Sequence, residues 1–196
     1  MFTIRHLAAL MIVAVVALTA AAAQTAALGK ARLGQGQPPA QPVAQATPTE
    51  KPDLIVTDIT FDPNDDEVRV RLQNVGDKRA DDSHVRLRIV ARVNGQPNEK
   101  VLFDQEKSVG DIGRGNDKTK EFNVNFSAIA AQADAFKAQL FATIDQLLLP
   151  AGVKLRLKKQ INDNFQVVAI AFADNRNELL EKNEGNNTRT ETFPTN

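Results

Sequence analysis

From Asp53 onward, apolar and polar residues alternate along short segments that end at groups of Asn, Gly, Asp and Pro. Successive side chains of a β-strand point to opposite faces, so an alternating segment buries one face and leaves the other in water. Residues 67–73 and 85–93 show the alternation most clearly, and Asn94-Gly95 after the second is a strong hairpin signal. Many short alternating segments separated by turn residues are typical of an antiparallel β-sandwich.

The fold class predicted from this pattern is mainly β, an antiparallel β-sandwich. Each expected strand is an alternating or apolar segment bounded by turn residues. They fall at 54–61, 68–72, 85–93, 101–103, 122–126, 167–172 and 189–193.

An amphipathic helix is expected between the last-but-two and the last-but-one strand. Ser127 is a candidate N-cap, and the helix should end near Leu149, before Pro150. Its apolar residues recur at spacings of three and four: Ile129, Ala133, Phe136, Leu140, Ile144 and Leu147. Residues 153–158 fit either a short strand or a second helical turn.

Residues 167–172 are apolar on both faces, so the expected strand there should be covered on both sides. The inserted helix is the nearest element that could cover its outer face. We therefore expect that helix to pack on its own sandwich rather than in a partner's groove or on a membrane surface.

The first residues predict export. Arg5 precedes an apolar run at 7–20, and Ala21-Ala22-Ala23 offers a cleavage site, so residues 1–23 are interpreted as a signal peptide cut near Ala23. The alternative is an uncleaved membrane anchor. Residues 24–52, rich in Ala, Gln and Pro, are predicted to be a disordered linker, followed by one domain at 53–196 with a helical insertion at about 127–164. The expected location is periplasmic or secreted, without membrane insertion after cleavage.

Composition excludes several kinds of partner and chemistry. The chain has no cysteine, so disulfides, thiolate metal sites and cysteine nucleophiles are excluded. Its 24 Lys and Arg balance 24 Asp and Glu, which gives no overall field to attract nucleic acid. Trp and Tyr are absent, so stacking on sugars or bases is disfavoured. No nucleic-acid partner is expected.

Residues 52–193 resemble the CARDB family, the cell-adhesion-related domain found in bacteria. The resemblance rests on Pro52-Asp53-Leu54, on Asn74-Val75-Gly76, on residues 112–115, and on Asp174 followed by Glu181, Glu184, Asn186 and Asn187. It implies a seven-strand immunoglobulin-like sandwich in an extracytoplasmic protein without enzymatic activity. The chain departs from the family pattern in the long segment 127–164 and in having a single copy.

Motifs for catalysis are missing from the sequence. Outside the predicted signal peptide His84 is the one histidine, and it falls on the expected outer face of a basic strand. No serine stands in a nucleophile-elbow context, and no glycine-rich phosphate-binding motif is present. The sequence therefore predicts no catalytic residue, no bound organic cofactor and no enzyme.

Acidic residues in two loops suggest a calcium site. In an immunoglobulin-like sandwich the loop after the second strand and the loop before the last strand lie at the same end. Two sets of acids could then face each other and supply the oxygen ligands of calcium: Asp77, Asp81 and Asp82, and Asp174, Glu181 and Glu184.

The second loop is not an EF-hand. Counted from Asp174, Arg176 takes a ligand position, Leu179 stands where glycine is needed, and Gly185 stands where a bidentate glutamate is needed. A structural loop is the alternative interpretation, in which side chains bond backbone groups. Asn183, Asn186 and Asn187 are the candidates for that role. The prediction is no cofactor, with calcium as the alternative.

The predicted function is that of an exported, non-enzymatic binding or adhesion-type module in the bacterial envelope or outside the cell, with a protein or cell-surface partner. One alternative is a calcium-dependent or acid-pair hydrolase that uses the acidic loop end. Another is a structural subunit that assembles through an edge strand or the inserted helix.

Overall fold

The computed structural model describes residues 50–195. The predicted signal peptide, and all of the predicted linker except residues 50–52, lie outside the described residues. No helix within 50–195 combines the length and the apolar character needed to cross a membrane.

The described residues form a mainly β fold with seven strands in two antiparallel sheets, as the sequence predicts. One sheet has the strand order β1-β2-β5 and the other β4-β3-β6-β7. The strands are β1 (Leu54–Asp62), β2 (Glu67–Asn74), β3 (His84–Val93), β4 (Glu99–Ser108), β5 (Asp117–Asn123), β6 (Phe165–Phe172) and β7 (Thr188–Thr192). Two helices, α1 (Phe126–Gln146) and α2 (Ala151–Asn164), connect β5 to β6.

The core lies between the inner faces of the two sheets. Along β2 and β3, alternate apolar residues are fully buried while the arginines between them are at least partly exposed, as the alternation predicts. The fully buried residues of these two strands include Val68, Val70, Leu72, Val85, Leu87 and Ile89. Each such side chain stabilises the fold by roughly 1.5–3 kcal/mol relative to an exposed one.

The prediction that residues 122–126 form a strand followed by a Ser127 cap is wrong. β5 ends at Asn123, and Phe126 is already the first residue of α1. The cap is Asn125, whose side-chain oxygen accepts from the N–H of Ala128 at 2.8 Å. The Ser127 hydroxyl donates to the same oxygen at 2.9 Å, so it supports the cap without forming it.

The insertion contains two helices rather than one. α1 ends at Gln146, three residues before the expected end at Leu149, and residues 153–158 are helical because they belong to α2. Pro150 precedes α2, where a missing N–H costs nothing. Lys158 Nζ lies 2.7 Å from the Asp145 carboxylate and joins the two helices.

Only the first half of α1 packs on the sandwich as expected. Phe126, Ile129 and Ala133 belong to the core, and the Phe136 ring lies 6.3 Å from that of Phe165, at the start of β6. By contrast, α2 has no buried residue. The outer face of β6 is covered unevenly, since Val168 is buried while Ile170 and Phe172 are half-buried.

β4 is much longer than the expected strand at 101–103. It runs for ten residues, EKVLFDQEKS, and seven of them are polar or charged. Its register on β3 places Arg86 close to Asp104 and Arg88 close to Glu99, with a nitrogen–oxygen distance of 3.1 Å in the second pair. Cross-strand ion pairs and backbone hydrogen bonds therefore define this edge strand, not an apolar alternation.

Candidate functional site

The long loop between β6 and β7 is tied to two other parts of the chain at one end of the sandwich. The N–H of Asn175 donates to the carbonyl of His84, at the start of β3, at 3.1 Å. The N–H of Lys182 donates to the carbonyl of Pro52, just before β1, at 2.9 Å. The loop therefore packs against the start of β3 in one sheet and the start of β1 in the other.

Glu181 joins the loop to β1 and is buried, with 3% of its surface exposed. Its Oε1 accepts from the N–H of Leu54, the first residue of β1, at 2.8 Å. Its Oε2 accepts from the side-chain amide of Asn187. Both carboxylate oxygens are thus used within the protein.

Asp174 and Glu184 hold the turns of the same loop. Asp174 is buried and has a φ of 43°, a conformation that Asp tolerates better than most residues. Its two oxygens accept from the N–H groups of Glu178 and Leu179, both at 3.0 Å. Glu184 Oε1 accepts from the N–H of Glu181 at 2.9 Å.

These three acids form one cluster, in which one carboxylate oxygen from each of Asp174, Glu181 and Glu184 lies within 4.8 Å of the others. None of the three makes an ion pair with the described residues. The pKa of Glu181 is raised to about 7, chiefly by burial and also by the charges of Asp174 and Glu184, while the hydrogen bonds from Leu54 and Asn187 oppose the shift. The cluster therefore favours a proton or a cation that reduces its negative charge.

The asparagines predicted to be structural make contacts within the loop and with the start of β1. Asn183 Oδ1 accepts from the N–H of Gly185 at 3.0 Å, and Asn186 donates to Asp53 Oδ1 at 3.0 Å. The side-chain oxygens of Asn186 and Asn187 are buried, and neither has a hydrogen-bond partner within residues 50–195. Asn187 is 8% exposed, so its unpaired oxygen lies inside the protein, beside the cluster.

The acids of the other loop lie outside the cluster. Asp77 is 3.1 Å from Lys182 Nζ, so a lysine of the long loop neutralises it. Asp81 is exposed and lies 3.8 Å from Arg79, and Asp82 is exposed. The structure thus brings together Asp174, Glu181 and Glu184 and leaves the other three candidates apart.

Asn74 was not among the predicted site residues, yet it connects three segments at this end. It is fully buried, and its oxygen accepts from the N–H groups of Asp53 at 3.2 Å and Gly76 at 3.0 Å. Its amide donates to the carbonyls of Lys78 at 2.8 Å and Ile112 at 3.0 Å. The sequence signal was the Asn-x-Gly at the end of a strand, which predicts a turn but not these distant partners.

His84 lies at the edge of this end, and its Nδ1 is 2.6 Å from Glu178 Oε2. The side chain is partly exposed, in keeping with a surface histidine. A shallow depression beside it is lined by Asn177, Glu178, Leu179, Leu180 and Glu184.

No family model matches the chain, and no curated protein matches it. Among solved structures, it is similar to the CARDB domain of the PF1109 protein from Pyrococcus furiosus, a structure in complex with di-metal ions. The identity is 18% and the TM-score 0.36, over 73% of this chain and 87% of that one. A CARDB domain is thus among the structures that this fold resembles, as the sequence predicted.

Two further structures are similar to the chain. One is Spo0M, a sporulation control protein from Bacillus subtilis, with 12% identity and a TM-score of 0.31 over 74% of this chain and 47% of that one. The other is a β-glucosidase from Kluyveromyces marxianus, with 9% identity and a TM-score of 0.29 over 74% of this chain and 14% of that one. At these values the similarity transfers neither a ligand nor an activity.

Proposed function

We propose that this chain is an exported, non-enzymatic binding module of the bacterial envelope or exterior, with a protein or cell-surface partner. The observation that carries the proposal is the set of hydrogen bonds that the acidic residues make. Asp174, Glu181 and Glu184 each accept a backbone N–H of the protein itself, so they build the loop. Asp174 and Glu181 are also buried, whereas an acid pair in a hydrolase must reach its substrate.

The same end of the fold exposes apolar side chains that suit a partner. Leu180 is 73% exposed and lines the shallow depression, and Val75 is 44% exposed in the loop after β2. A loop end with apolar side chains on its surface is a usual place for binding on a β-sandwich.

The test is binding of the labelled protein to isolated bacterial envelopes. We expect saturable binding that unlabelled protein competes away and that Leu180→Asp weakens, while Val101→Asp, at an exposed apolar residue of β4, serves as the matched control. Mass spectrometry of the exported protein should show loss of residues 1–23. Non-saturable binding, or turnover of aryl glycosides that Glu184→Gln abolishes, would overturn the proposal.

Calcium binding at the acidic cluster is a second candidate function. It is favoured by the buried, unpaired oxygen of Asn187, whose amide nitrogen bonds Glu181. The carboxylates of Asp174, Glu181 and Glu184 provide three oxygen ligands of the type that calcium takes, and water would supply the remainder. A proton on Glu181 competes with the ion, because the pKa of that carboxyl is about 7.

Calorimetric titration with calcium at pH 8 and pH 6 tests this function. We expect binding at pH 8 that weakens at pH 6, because the ion requires the ionised form of Glu181. Glu184→Gln should weaken it at both pH values, whereas Asp81→Asn should not change it. The absence of both heat and a thermal shift at pH 8 would remove calcium from consideration and leave a purely structural loop.

A further inference from the structure

Apolar side chains protrude where α1 turns into α2. We call residues 147–159 the helical tip. Leu148 is fully exposed, at 103% of its reference surface, and Leu155 is 71% exposed. Of the seven large hydrophobic residues that are exposed within 50–195, four belong to this tip: Leu148, Leu149, Val153 and Leu155. Such a concentration marks a contact surface.

Basic residues surround the tip. α2 contains Lys154, Arg156, Lys158 and Lys159 but a single acid, Asp163, although the whole chain has no net charge. Lys154 and Lys158 are turned towards α1, where they contact the carbonyl and the carboxylate of Asp145, each at 2.7 Å.

The other two basic residues are available to a partner. Arg156 is exposed and makes no ion pair with the described residues. Lys159 pairs only with Asp163 at 2.6 Å on an exposed surface, and such a pair contributes little. The tip therefore combines exposed leucines with unused positive charge.

We propose that the helical tip docks on an anionic lipid surface, with Leu148 and Leu155 in the headgroup region and Arg156 and Lys159 at the lipid phosphates. Apolar side chains bordered by Arg and Lys bind such surfaces through apolar burial together with attraction to anionic headgroups. The contact is peripheral, because neither helix can span a bilayer.

Other occupants fit this surface less well. A second copy would bring like charges together, and four exposed apolar side chains fall far below the roughly 20–30 residues a side of a stable interface. A protein groove recognises an apolar stripe along a helix. On the exposed side of α2, Leu155 is followed by Lys159 at i+4 and Asn162 at i+7, which breaks any stripe.

The absence of tryptophan allows a local test on the full chain. Leu148→Trp places a single fluorophore on the tip, and Leu180→Trp places one at an exposed position of the long loop as the matched control. Both variants share residues 1–49, so any lipid contact of that segment is common to them. The probe is vesicles of phosphatidylcholine, with and without phosphatidylglycerol.

We expect Leu148→Trp emission to shift to the blue and to be quenched by brominated lipid only with phosphatidylglycerol vesicles, and the shift to disappear at high salt. Adding Arg156→Gln and Lys159→Gln should raise the lipid concentration required roughly 30-fold. Leu180→Trp should not shift.

Four results would overturn the proposal. These are no shift of Leu148→Trp, an equal shift of Leu180→Trp, an equal response to neutral vesicles, and a shift that grows with protein concentration without lipid. The last result would indicate self-association at the tip. Unchanged circular dichroism of both variants confirms that the comparison is between folded proteins.

Discussion

The Glu181 carboxylate accepts a hydrogen bond from the N–H of Leu54 at 2.8 Å, although 127 positions separate the two residues. Leu54 is the first residue of β1, so a side chain of the last loop holds the beginning of the first strand. Because Glu181 is buried beside two other acids, this contact is sensitive to its charge.

Stability should therefore fall as pH rises from 5 to 8. The pKa of Glu181 is raised from 4.5 to about 7 in the folded protein. A carboxyl group whose pKa is higher in the folded than in the unfolded state contributes most to the free energy of unfolding at pH values below its unfolded pKa. This contribution is lost as the pH rises through its folded pKa. The loss should be on the order of 2 kcal/mol in the free energy of urea unfolding, measured with a chelator present.

Glu181→Gln is the control for this pH dependence, because it resembles the neutral acid and leaves every other titratable group in place. Its unfolding free energy should change less between pH 5 and 8 than that of the parent. Asp104, whose pKa is lowered by the hydrogen bond from Arg86, titrates below this range. Parallel curves for the two proteins would contradict the role assigned to Glu181.

Asn74→Asp should destabilise the fold by roughly 2–4 kcal/mol, because a buried carboxylate cannot donate to the carbonyls of Lys78 and Ile112 and would face them unpaired. Asn64→Asp, in the exposed turn after β1, is the matched control and should stay within about 0.5 kcal/mol. The measurement is the denaturation midpoint at constant m-value. Equal effects of the two variants would refute the special position of Asn74.

Gly76→Ala should lower the free energy of unfolding by roughly 1–3 kcal/mol, the usual range for overpacking. A Cβ at Gly76 would lie 2.5 Å from backbone atoms of Lys51, Pro52 and Asp53, and backbone cannot move aside as a side chain can. Gly152→Ala in α2 meets open space and should stabilise by up to about 1 kcal/mol. The measurement is the thermal unfolding temperature of both variants. An unchanged unfolding temperature for Gly76→Ala would disprove the close approach of the backbone at this position.

Asn125→Ala should destabilise by about 1 kcal/mol, the usual cost of losing an N-cap. Ser127→Ala should cost less than about 0.5 kcal/mol, because the hydroxyl only donates to the cap oxygen. Urea unfolding of both proteins distinguishes the observed cap from the one expected from sequence. A larger effect of Ser127→Ala would restore the sequence-based assignment.

The sequence predicts strands well where each residue's face is set by the core. β2 and β3 alternate because their inner faces are buried, so a local pattern records the tertiary contact. β4 lacks this signal because it is an edge strand, and its length depends on pairing with β3. Residues 153–158 were ambiguous because leucines two apart fit a strand, whereas in the structure they belong to α2, which contacts α1.

The acidic cluster was predictable only in part. Asp174, Glu181 and Glu184 lie in one loop, so their closeness depends on short chain distances. The approach of Asp77 depends on where two loops meet, and there the ion pair with Lys182 keeps it out of the cluster. The hydrogen bonds of Asn74 to Asp53 and Ile112 cannot be predicted from local sequence, because both partners are distant in the chain.

The hydrogen bond between Glu181 and Leu54 joins residues that are synthesised far apart in time. The β1–β2 hairpin is local in sequence and can form early, whereas the N–H of Leu54 gains its acceptor only when Glu181 is present. We expect a chain that emerges from its N-terminus to remain incomplete until nearly all of the domain has emerged. Completion of the fold thus requires emergence of the loop that precedes β7.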